Sequence, residues 1–471
     1  MKKIGNLSCK KKKILCLLLL AAQFCMPLQA VAMTIGEERT ISRQLLYSVR
    51  AEFRLLDAPD ISQYINDLGY QVLTVAGPQY FNYHFFVVKS NQFNAFAAPG
   101  GLVFFYTGLI KTMKNENELI SVLAHEIGHV VSRHIAQRIA KSGKISAITM
   151  GLGLAALALG KPELLIGSMA AGQALNLHYS RQDEEEADRL SFDWMREMHR
   201  NPVAMEGMLK TMRRISRYRS DKLPQYLLTH PNPEARSNYV ESLIEIDDKQ
   251  NVPGFYKKTD NFRFLRFKYR VMLQSMDLEQ MRIACTNLAT NSRDPEQQIM
   301  AEYGLALIAV EDHNFDRAAE LLKKVKAKYP DRDILEVDTA VIKMESGEVD
   351  EAAVLLQHAV KRDPTDMYAV FELAKARIQQ KEYDRAGKLL HEVAKTMPEY
   401  SQLYYEIARI KANQGLENES RFYLGKYSLY EGRIKQAKQY LTQASKDTTL
   451  PEPLRNEASA ILERLKKLEE S

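Results

Sequence analysis

The chain is poor in cysteine, and the few cysteines it has cannot build a disulfide framework. Of four cysteines in 471 residues, Cys9, Cys16 and Cys25 all lie within the N-terminal segment 1–32. Only Cys285 remains in the body of the chain, where it has no second thiol to pair with. The fold must therefore rest on a hydrophobic core, and a hydrophobic content of 45% is ordinary for a globular protein.

The body of the chain also lacks an excess of either charge. The formal net charge is +6, but the N-terminal segment 1–32 carries six lysines and neither an acidic residue nor an arginine. The remainder is therefore close to neutral, which gives no electrostatic reason to expect a nucleic-acid partner. The six lysines are Lys2, Lys3, Lys10, Lys11, Lys12 and Lys13.

Hydrophobic runs long enough for a membrane span are missing as well. The run from Ile14 to Met26 is shorter than the roughly 20 residues that a spanning helix needs. It follows the lysines and precedes Ala30-Val31-Ala32, a pattern that predicts a secretory signal peptide over residues 1–32, cleaved after Ala32, rather than a membrane anchor. A second apolar segment, 145–160, predicts a buried helix of small residues, with a mobile lid or a peripheral membrane contact as the alternatives.

The first part of the chain after residue 32 predicts helices around a small sheet. Aromatic and β-branched residues in YFNYHFFVVKS predict a strand, and Pro99-Gly100-Gly101 predicts the turn of a hairpin within NAFAAPGGLVFFY. The first hairpin strand is the natural candidate for a sheet edge, to which an extended substrate could add. Its residues are Asn94, Ala95, Phe96 and Ala97.

The second half of the chain is a regular internal repeat. Pro330, Pro364 and Pro398 are 34 apart, as are the segments NFDRA, EVDEA and EYDRA. This period, with a small residue at the close helix contact and proline after the second helix, is typical of tetratricopeptide repeats. Such repeats stack into an all-α superhelix. The predicted boundaries are a folded domain at 33–250, a linker at 251–262 and repeats at 263–467.

A helix with an unusual polar content is predicted after the hairpin. Asn115 stands three positions before Glu118, the pattern of a helix N-cap. The helix that starts there contains VLAHEIGHVVSRH at 122–134, in which histidines and a glutamate interrupt an apolar sequence. Burying these groups without partners would be costly, and a bound metal ion would remove that cost.

The spacing within this segment divides its polar residues into two roles. His125 and His129 are four positions apart, so one helix face presents both imidazoles to a single metal ion. Glu126 is rotated by about 100° and is better placed to act as general base on a water than as a ligand. His134 falls roughly 140° from the ligand face of a continuous helix, so we expect a structural role for it.

A third metal ligand is expected from the acidic segment that follows. A catalytic zinc site needs three protein ligands and an open position. Glu184, Glu185 and Glu186 are consecutive and fan out over about 200° of a helix, so at most two can face the metal. Asp188 shares the face of Glu184. Spacing alone does not choose among the three glutamates, and at least one is expected to be solvated.

The motif H-E-x-x-H followed by E-x-x-A-D resembles the HtpX/Oma-type metallopeptidases, a family of zincin-type α+β proteases. The resemblance implies one Zn²⁺ per subunit and Glu184 as the third ligand. It also implies that Asp188 supports the metal site from behind the ligands. The signal peptide, the segment NAFAAPGG, the segment LLTHPNPEAR and the C-terminal repeats are similar to periplasmic members concerned with outer-membrane β-barrel assembly.

The segment LLTHPNPEAR contributes two further residues by resemblance. In similar family members, the histidine that matches His230 can occupy the open zinc position and restrain activity. The alternative is a histidine that packs or caps within the loop bounded by Pro231 and Pro233. Arg236 matches an arginine near the site in the family, and its role stays open.

The sequence therefore predicts a periplasmic zinc endopeptidase that degrades misfolded or stalled outer-membrane proteins and assists their assembly. Its expected partners are unfolded protein substrates and, through the repeats, the β-barrel assembly machinery. The alternative is a chaperone or adaptor with a structural or permanently filled zinc site. Glu126 favours the enzyme, because structural zinc sites rarely keep a glutamate where a general base belongs.

Overall fold

The computed structural model describes residues 33–141, 179–218, 225–250 and 252–470. The predicted signal peptide and the apolar segment 145–160 lie outside these residues. The remaining elements confirm the predicted fold class, a small sheet among helices followed by an all-α array.

The first unit of the described chain combines helices with a short run of strands. In chain order its elements are α1 (Ile35–Glu52), α2 (Pro59–Val75), β1 (His84–Val88), β2 (Ala95–Ala98), β3 (Leu102–Tyr106), α3 (Thr107–Ile110), α4 (Glu116–Val131), α5 (His134–Lys141), α6 (Arg181–Glu197), α7 (Val203–Tyr218), α8 (Gln225–Thr229) and α9 (Pro233–Gln250).

The three strands of the described residues form one sheet in the order β1-β3-β2. The predicted hairpin is present: β2 pairs antiparallel with β3, and Ala98 lies opposite Leu102. Gly100 and Gly101 both have positive φ angles, +78° and +91°, which glycine adopts without a steric penalty. Strand β1 pairs with β3 in parallel and lies on its other side.

Helix α4 crosses the centre of the first unit and begins where the sequence predicts. The Asn115 side chain accepts a hydrogen bond from the Glu118 backbone N–H, as expected of an N-cap. Nearly every residue of α4 is buried, because α2, α6, α7 and β2 all pack around it. Its polar side chains are therefore held in a dry interior, where they need partners.

The repeats are built from helix pairs that continue to the end of the chain. Two helices come first, α10 (Phe262–Ser275) and α11 (Leu278–Asn291), and both pack mainly on α12. Five pairs follow: α12/α13 (Pro295–Glu311, Phe315–Lys328), α14/α15 (Ile334–Glu345, Val349–Arg362), α16/α17 (Met367–Gln379, Tyr383–Thr396), α18/α19 (Ser401–Asn413, Glu417–Tyr430) and α20/α21 (Ile434–Lys446, Glu452–Glu470).

The residues that define the repeat period occupy the expected structural positions. Ala318, Ala352 and Ala386 are fully buried at the start of the second helix of their pairs. Each small side chain lets two helices approach closely. Pro330 and Pro364 each stand two residues beyond the end of such a helix, where proline stops its continuation.

The repeats and the first unit share one continuous hydrophobic core. This core extends from Leu45 in α1 to Ile342 in α14. Helix α2 lies against two repeat helices, α10 and α16. The Gln63 amide, for example, donates to the Thr365 carbonyl and accepts from the Met367 N–H. We therefore expect the repeats to hold the first unit in a fixed orientation.

Buried charges reinforce this junction. Asp60 in α2 accepts hydrogen bonds from Arg266 and Arg270 in α10, and Arg266 also forms a bidentate pair with Asp338 in α14. Each buried charge is compensated by an opposite one, as burial requires. Within the described residues, no helix combines the length and apolar character needed to cross a membrane.

Candidate metal centre

Helix α4 delivers three of the predicted site residues into the interior. His125, Glu126 and His129 are each at most 2% exposed. The two histidine rings lie one helical turn apart with their Nε2 atoms separated by 3.1 Å. One face of α4 therefore offers two imidazole nitrogens to a single point, as the i, i+4 spacing predicts.

Helix α6 brings an acidic side chain to the same point, because α6 and α4 pack unusually closely. A methyl group built on Gly128 would lie 3.3 Å from the Cα atom of Ala187. Ala187, the alanine of E-x-x-A-D, is fully buried at this contact. With small residues on both helices, Glu184 reaches His129, and its Oε1 atom lies 3.4 Å from His129 Nε2.

A fourth side chain completes the cluster. His230 directly follows α8, and its Nδ1 atom lies 2.9 Å from Glu184 Oε1 and 3.3 Å from His125 Nε2. One ligand atom from each of His125, His129, Glu184 and His230 lies within 4.8 Å of the other three. The arrangement brings together the three predicted ligands and the predicted regulatory histidine.

The spacing of these atoms is close to that of the ligands around a tetrahedral zinc ion. Zinc ligands at about 2.0–2.1 Å from the metal are about 3.3 Å from one another in a tetrahedron. Four of the six pairs among His125, His129, Glu184 and His230 have contacts of 2.9 to 3.4 Å, and one ligand atom from each residue lies within 4.8 Å of the others. The ligand types, three imidazoles and one carboxylate, also suit zinc.

Unpaired polar atoms support the same assignment. Both carboxylate oxygens of Glu126 and the Nε2 atom of His230 are buried without a hydrogen-bond partner. The closest approach between them is 3.5 Å, from His230 Nε2 to Glu126 Oε1. Buried carboxylates normally have partners, so a carboxylate kept free beside the ligands is typical of a group that acts on water or substrate.

His230 is held in place by its surroundings. Its backbone N–H donates to the Tyr226 carbonyl, and the Tyr226 ring stacks on its imidazole with centroids 4.3 Å apart. The Tyr179 backbone N–H donates to the Thr229 carbonyl, which ties the entry to α6 to the end of α8. Neither tyrosine was predicted from the sequence, because nothing in their spacing relates them to the motif.

Asp188 and Arg236 contact residues of the cluster. Asp188 Oδ1 lies 2.9 Å from His125 Nδ1, so His125 can donate a proton there while Nε2 faces the metal position. Arg236 forms two hydrogen bonds with Asp188, and its Nη1 atom lies 2.7 Å from Glu184 Oε2. The structure thus gives Arg236, whose role the sequence left open, a contact with both acidic residues.

These contacts set the charge states of the cluster. Burial alone would raise the pKa of Glu184, but His230 and Arg236 outweigh it and hold the pKa well below its usual value. In the same way, Arg236 and His125 lower the pKa of Asp188 to about 2 despite its burial. Burial lowers the pKa of His129 well below 6.5, so this imidazole is neutral and able to bind a metal.

The other acidic residues of the segment lie away from the metal position. Glu185 pairs with Arg181 on the surface of α6. Glu186, also largely exposed, accepts a hydrogen bond from the Ser132 hydroxyl at the rim of the site. Of the three glutamates, Glu184 alone lies with the histidines in the cluster.

His134 lies closer to the site than a continuous helix would place it. Helix α4 ends at Val131, and Arg133 has a left-handed φ of +54°, which turns the chain into α5. The Nδ1 atom of His134 consequently lies 2.9 Å from Nδ1 of His129. His134 thus contacts the His129 ring on the side away from the cluster, a contact that the sequence did not predict because neither glycine nor proline marks the helix end.

The predicted substrate strand is at the expected edge but is covered. Strand β2 is the last strand of the sheet, and the bond from the Tyr106 N–H to the Asn94 carbonyl fixes which groups face β3. The alternation of antiparallel pairing then directs the N–H and C=O groups of Ala95 and Ala97 to the outer edge. Both alanines are at most 1% exposed, so an added strand would require the covering residues to move.

Comparison with known proteins agrees with this geometry. Residues 57–244 match the model of peptidase family M48. Residues 309–377 and 343–410 match a tetratricopeptide repeat model. The chain carries an M48 metallopeptidase domain followed by tetratricopeptide repeats. The family resemblance drawn from the motifs is thereby confirmed, and the family implies a metal cofactor.

Several curated proteins are similar to part of this chain. The chain is 29% identical over 306 residues to the Escherichia coli protein named beta-barrel assembly-enhancing protease, covering 63% of this chain and 61% of that protein. It is 30% identical over 305 residues to the Yersinia pestis protein of the same name, with the same coverage. It is 29% identical to the mitochondrial metalloendopeptidase OMA1 of Schizosaccharomyces pombe, covering 42% of this chain and 57% of that protein. The chain thus spans about three fifths of these relatives.

Proposed function

We propose that this chain is a zinc-dependent endopeptidase of the bacterial periplasm that degrades misfolded or stalled outer-membrane proteins and assists their assembly. The observation that carries the proposal is the convergence of His125, His129 and Glu184 beside Glu126, whose carboxylate stays free of hydrogen bonds among the described residues. The name of the bacterial relatives supports the substrate class.

The proposed reaction is the hydrolysis of a peptide bond, with Glu126 as general base. Bound zinc would act as a Lewis acid and lower the pKa of a water toward 7. Glu126 takes the proton of the attacking water and then delivers it to the leaving amine. Glu126 is buried on α4 directly after the ligand His125. The helix itself therefore sets the distance of the Glu126 carboxylate from the reacting atoms.

Asp188 and Arg236 serve this chemistry by holding the ligands. Asp188 accepts from His125 Nδ1, which leaves His125 Nε2 unprotonated toward the metal position. Arg236 pairs with Asp188 and with Glu184 Oε2, and its single positive charge partly compensates both carboxylates. The cluster thereby keeps two buried carboxylates ionised.

His230 supports a resting state that is closed. We propose that its Nδ1 atom, 2.9 Å from Glu184 Oε1 and 3.3 Å from His125 Nε2, fills the fourth ligand position, while its Nε2 atom lies 3.5 Å from Glu126 Oε1. The imidazole of His230 would thus block the metal position that the attacking water needs and also contact Glu126, the group that would activate that water. The buried edge of β2 is consistent with the same closed state.

Substrate binding is proposed to use the outer edge of β2. The outward N–H and C=O groups of Ala95 and Ala97 would pair with an extended peptide through main-chain hydrogen bonds. Such pairing depends little on side chains, so sequence specificity would be weak. The repeats would then select substrates by holding a partner, for which the β-barrel assembly machinery is our candidate.

A direct test compares the purified wild-type protein with Glu126→Gln on an unfolded protein substrate. We expect both proteins to bind one zinc ion per chain, and only the wild type to cleave. Cleavage by the variant at the wild-type rate would refute the role of Glu126. Absence of stoichiometric zinc from the wild type would refute the metal site itself.

The position of His230 also favours a second candidate function, an adaptor whose zinc site stays filled. The two functions differ in whether the protein needs Glu126 to act in the cell. If the protein acts only as an adaptor, Glu126→Gln should fully restore whatever defect follows deletion of the gene. If proteolysis is its function, the variant should not restore it and should retain bound substrates that crosslinking can identify.

A further inference from the structure

One ring nitrogen of His129 faces the cluster, and the other contacts a second histidine. His129 Nε2 lies 3.1 Å from His125 Nε2 and 3.4 Å from Glu184 Oε1, so it faces the cluster. His129 Nδ1 faces the opposite way and lies 2.9 Å from His134 Nδ1. Both residues are almost completely buried, so this contact is a hydrogen bond in a dry environment.

The chemistry of imidazole fixes the direction of that bond. A histidine that binds a metal through Nε2 must carry its proton on Nδ1. His129 Nδ1 therefore donates, and His134 Nδ1 must accept. A neutral His134 that accepts through Nδ1 carries its own proton on Nε2, and that proton needs an acceptor.

One carboxylate lies within hydrogen-bond distance of His134 Nε2, and a second lies slightly further away. Glu186 Oε2 lies 3.4 Å and Asp183 Oδ1 lies 3.8 Å from His134 Nε2. Each is held by another residue, since the Ser132 hydroxyl donates to Glu186 and Arg138 donates to Asp183. The proton of His134 Nε2 is thus directed toward fixed negative charge.

We propose that His134 is a positioning residue, which sets the tautomer and ring orientation of the metal ligand His129. It does so through a series of polar contacts that runs from His129 to His134 and ends at the carboxylates of Glu186 and Asp183. The inference rests on the proposed metal site and goes beyond it, since neither the motif nor the spacing assigns a role in metal binding to His134. It makes the end of α4 at Val131 functionally important, because a continuous helix would carry His134 away from His129.

The two histidine ligands are then supported differently. His125 contacts a carboxylate directly, that of Asp188. His129 contacts a neutral ring, and the negative charge lies one residue further out. Partners of this kind typically contribute about 10–100-fold to metal affinity, so the loss of His134 should weaken zinc binding by about that factor.

The test uses three variants at one position, because asparagine and glutamine replace different nitrogens of histidine. The amide oxygen of His134→Asn lies near the position of Nδ1 and can accept from His129. The amide of His134→Gln lies near Nε2 instead, and His134→Ala offers neither. We expect His134→Asn to keep zinc affinity within about threefold of the wild type, and the other two to lose about 10–100-fold.

Zinc affinity is measured by competition with a chelator, and thermal melting of the metal-free proteins shows that each variant folds. Asp188→Asn is the positive comparator, because it disturbs the support of His125. As a readout independent of zinc and of activity, ¹⁵N imidazole shifts of the metal-free protein should show the Nδ1–H form of His129 in the wild type and in His134→Asn.

Equal zinc affinity of His134→Ala and the wild type would overturn the proposal. Equal losses in His134→Asn and His134→Gln would also overturn it, because the effect would then not depend on an acceptor at Nδ1. A wild-type protein that binds zinc but cleaves nothing would contradict the proposed function and leave this inference standing.

Discussion

Gly128 and Ala187 bring the two ligand-bearing helices together, with only 3.3 Å between a methyl group built on the first and the Cα atom of the second. Neither residue touches the metal position. Their small size nevertheless sets the distance between the histidines of α4 and Glu184 of α6, so the geometry of the cluster depends on helix packing as much as on the ligands.

We therefore expect Ala187→Leu to abolish stoichiometric zinc binding although every ligand is retained. The larger side chain would force α6 away from α4 at a contact that has no free volume. Zinc content after dialysis measures the effect. Ala187→Gly is the matched control and should keep its zinc, so loss of zinc from the glycine variant as well would contradict this explanation.

Removal of Arg236 should destabilise the fold more than most single substitutions. Arg236→Met leaves Asp188 and Glu184 buried with less compensating charge, and breaking a buried ion pair costs about 3–5 kcal/mol. The free energy of unfolding in denaturant measures it. The double variant Arg236→Met with Asp188→Asn should recover part of the loss, and simple additivity of the two changes would show that the pair is not coupled.

His230→Ala should raise the rate of proteolysis if His230 occupies the fourth zinc position at rest. The variant keeps His125, His129 and Glu184, so we expect it to retain zinc. Cleavage of an unfolded protein gives the rate, with zinc content measured on the same samples. A rate equal to or below that of the wild type, at full zinc occupancy, would argue against a restraining role.

Asp57 should make stability depend on pH at the junction with the repeats. Burial raises the pKa of Asp57 from 3.8 to about 6, and the positive charge of Arg50 opposes this only in part. Between these values the folded state binds more protons than the unfolded state, so stability falls as pH rises through this window. The decrease in the free energy of unfolding is complete above pH ~6. A pKa shift of about two units limits this decrease to about 3 kcal/mol.

Asp57→Asn removes this charge and should be more stable than the wild type at pH 8 by about 1–2 kcal/mol, since the side chain is only partly buried. The difference should shrink at pH 4, where the folded wild type is already protonated. Asparagine keeps an oxygen that can accept from the Ser401 N–H, so the hydrogen bond is preserved. Equal stabilities at both pH values would contradict the assignment.

Local chemistry made much of the architecture predictable. The hairpin follows from Pro99-Gly100-Gly101, the start of α4 from Asn115, and the helix pairs from alanines that recur at a constant interval. The pairing of His125 with His129 follows from helix geometry alone. Each of these depends on residues close in sequence or on a period that repeats many times.

Contacts between distant segments were decided by the tertiary structure. The choice of Glu184 over Glu185 and Glu186, the approach of His230 to Glu126, and the double contact of Arg236 all require helices that are far apart in the chain to pack together. His134 shows the same limit at short range, because a left-handed residue at Arg133 turned the chain where no sequence signal marked a break. The sequence determined which groups could hold a metal, since ligand type and helical spacing are local properties. Only tertiary packing decided which groups meet, because their separation depends on how closely whole helices can approach.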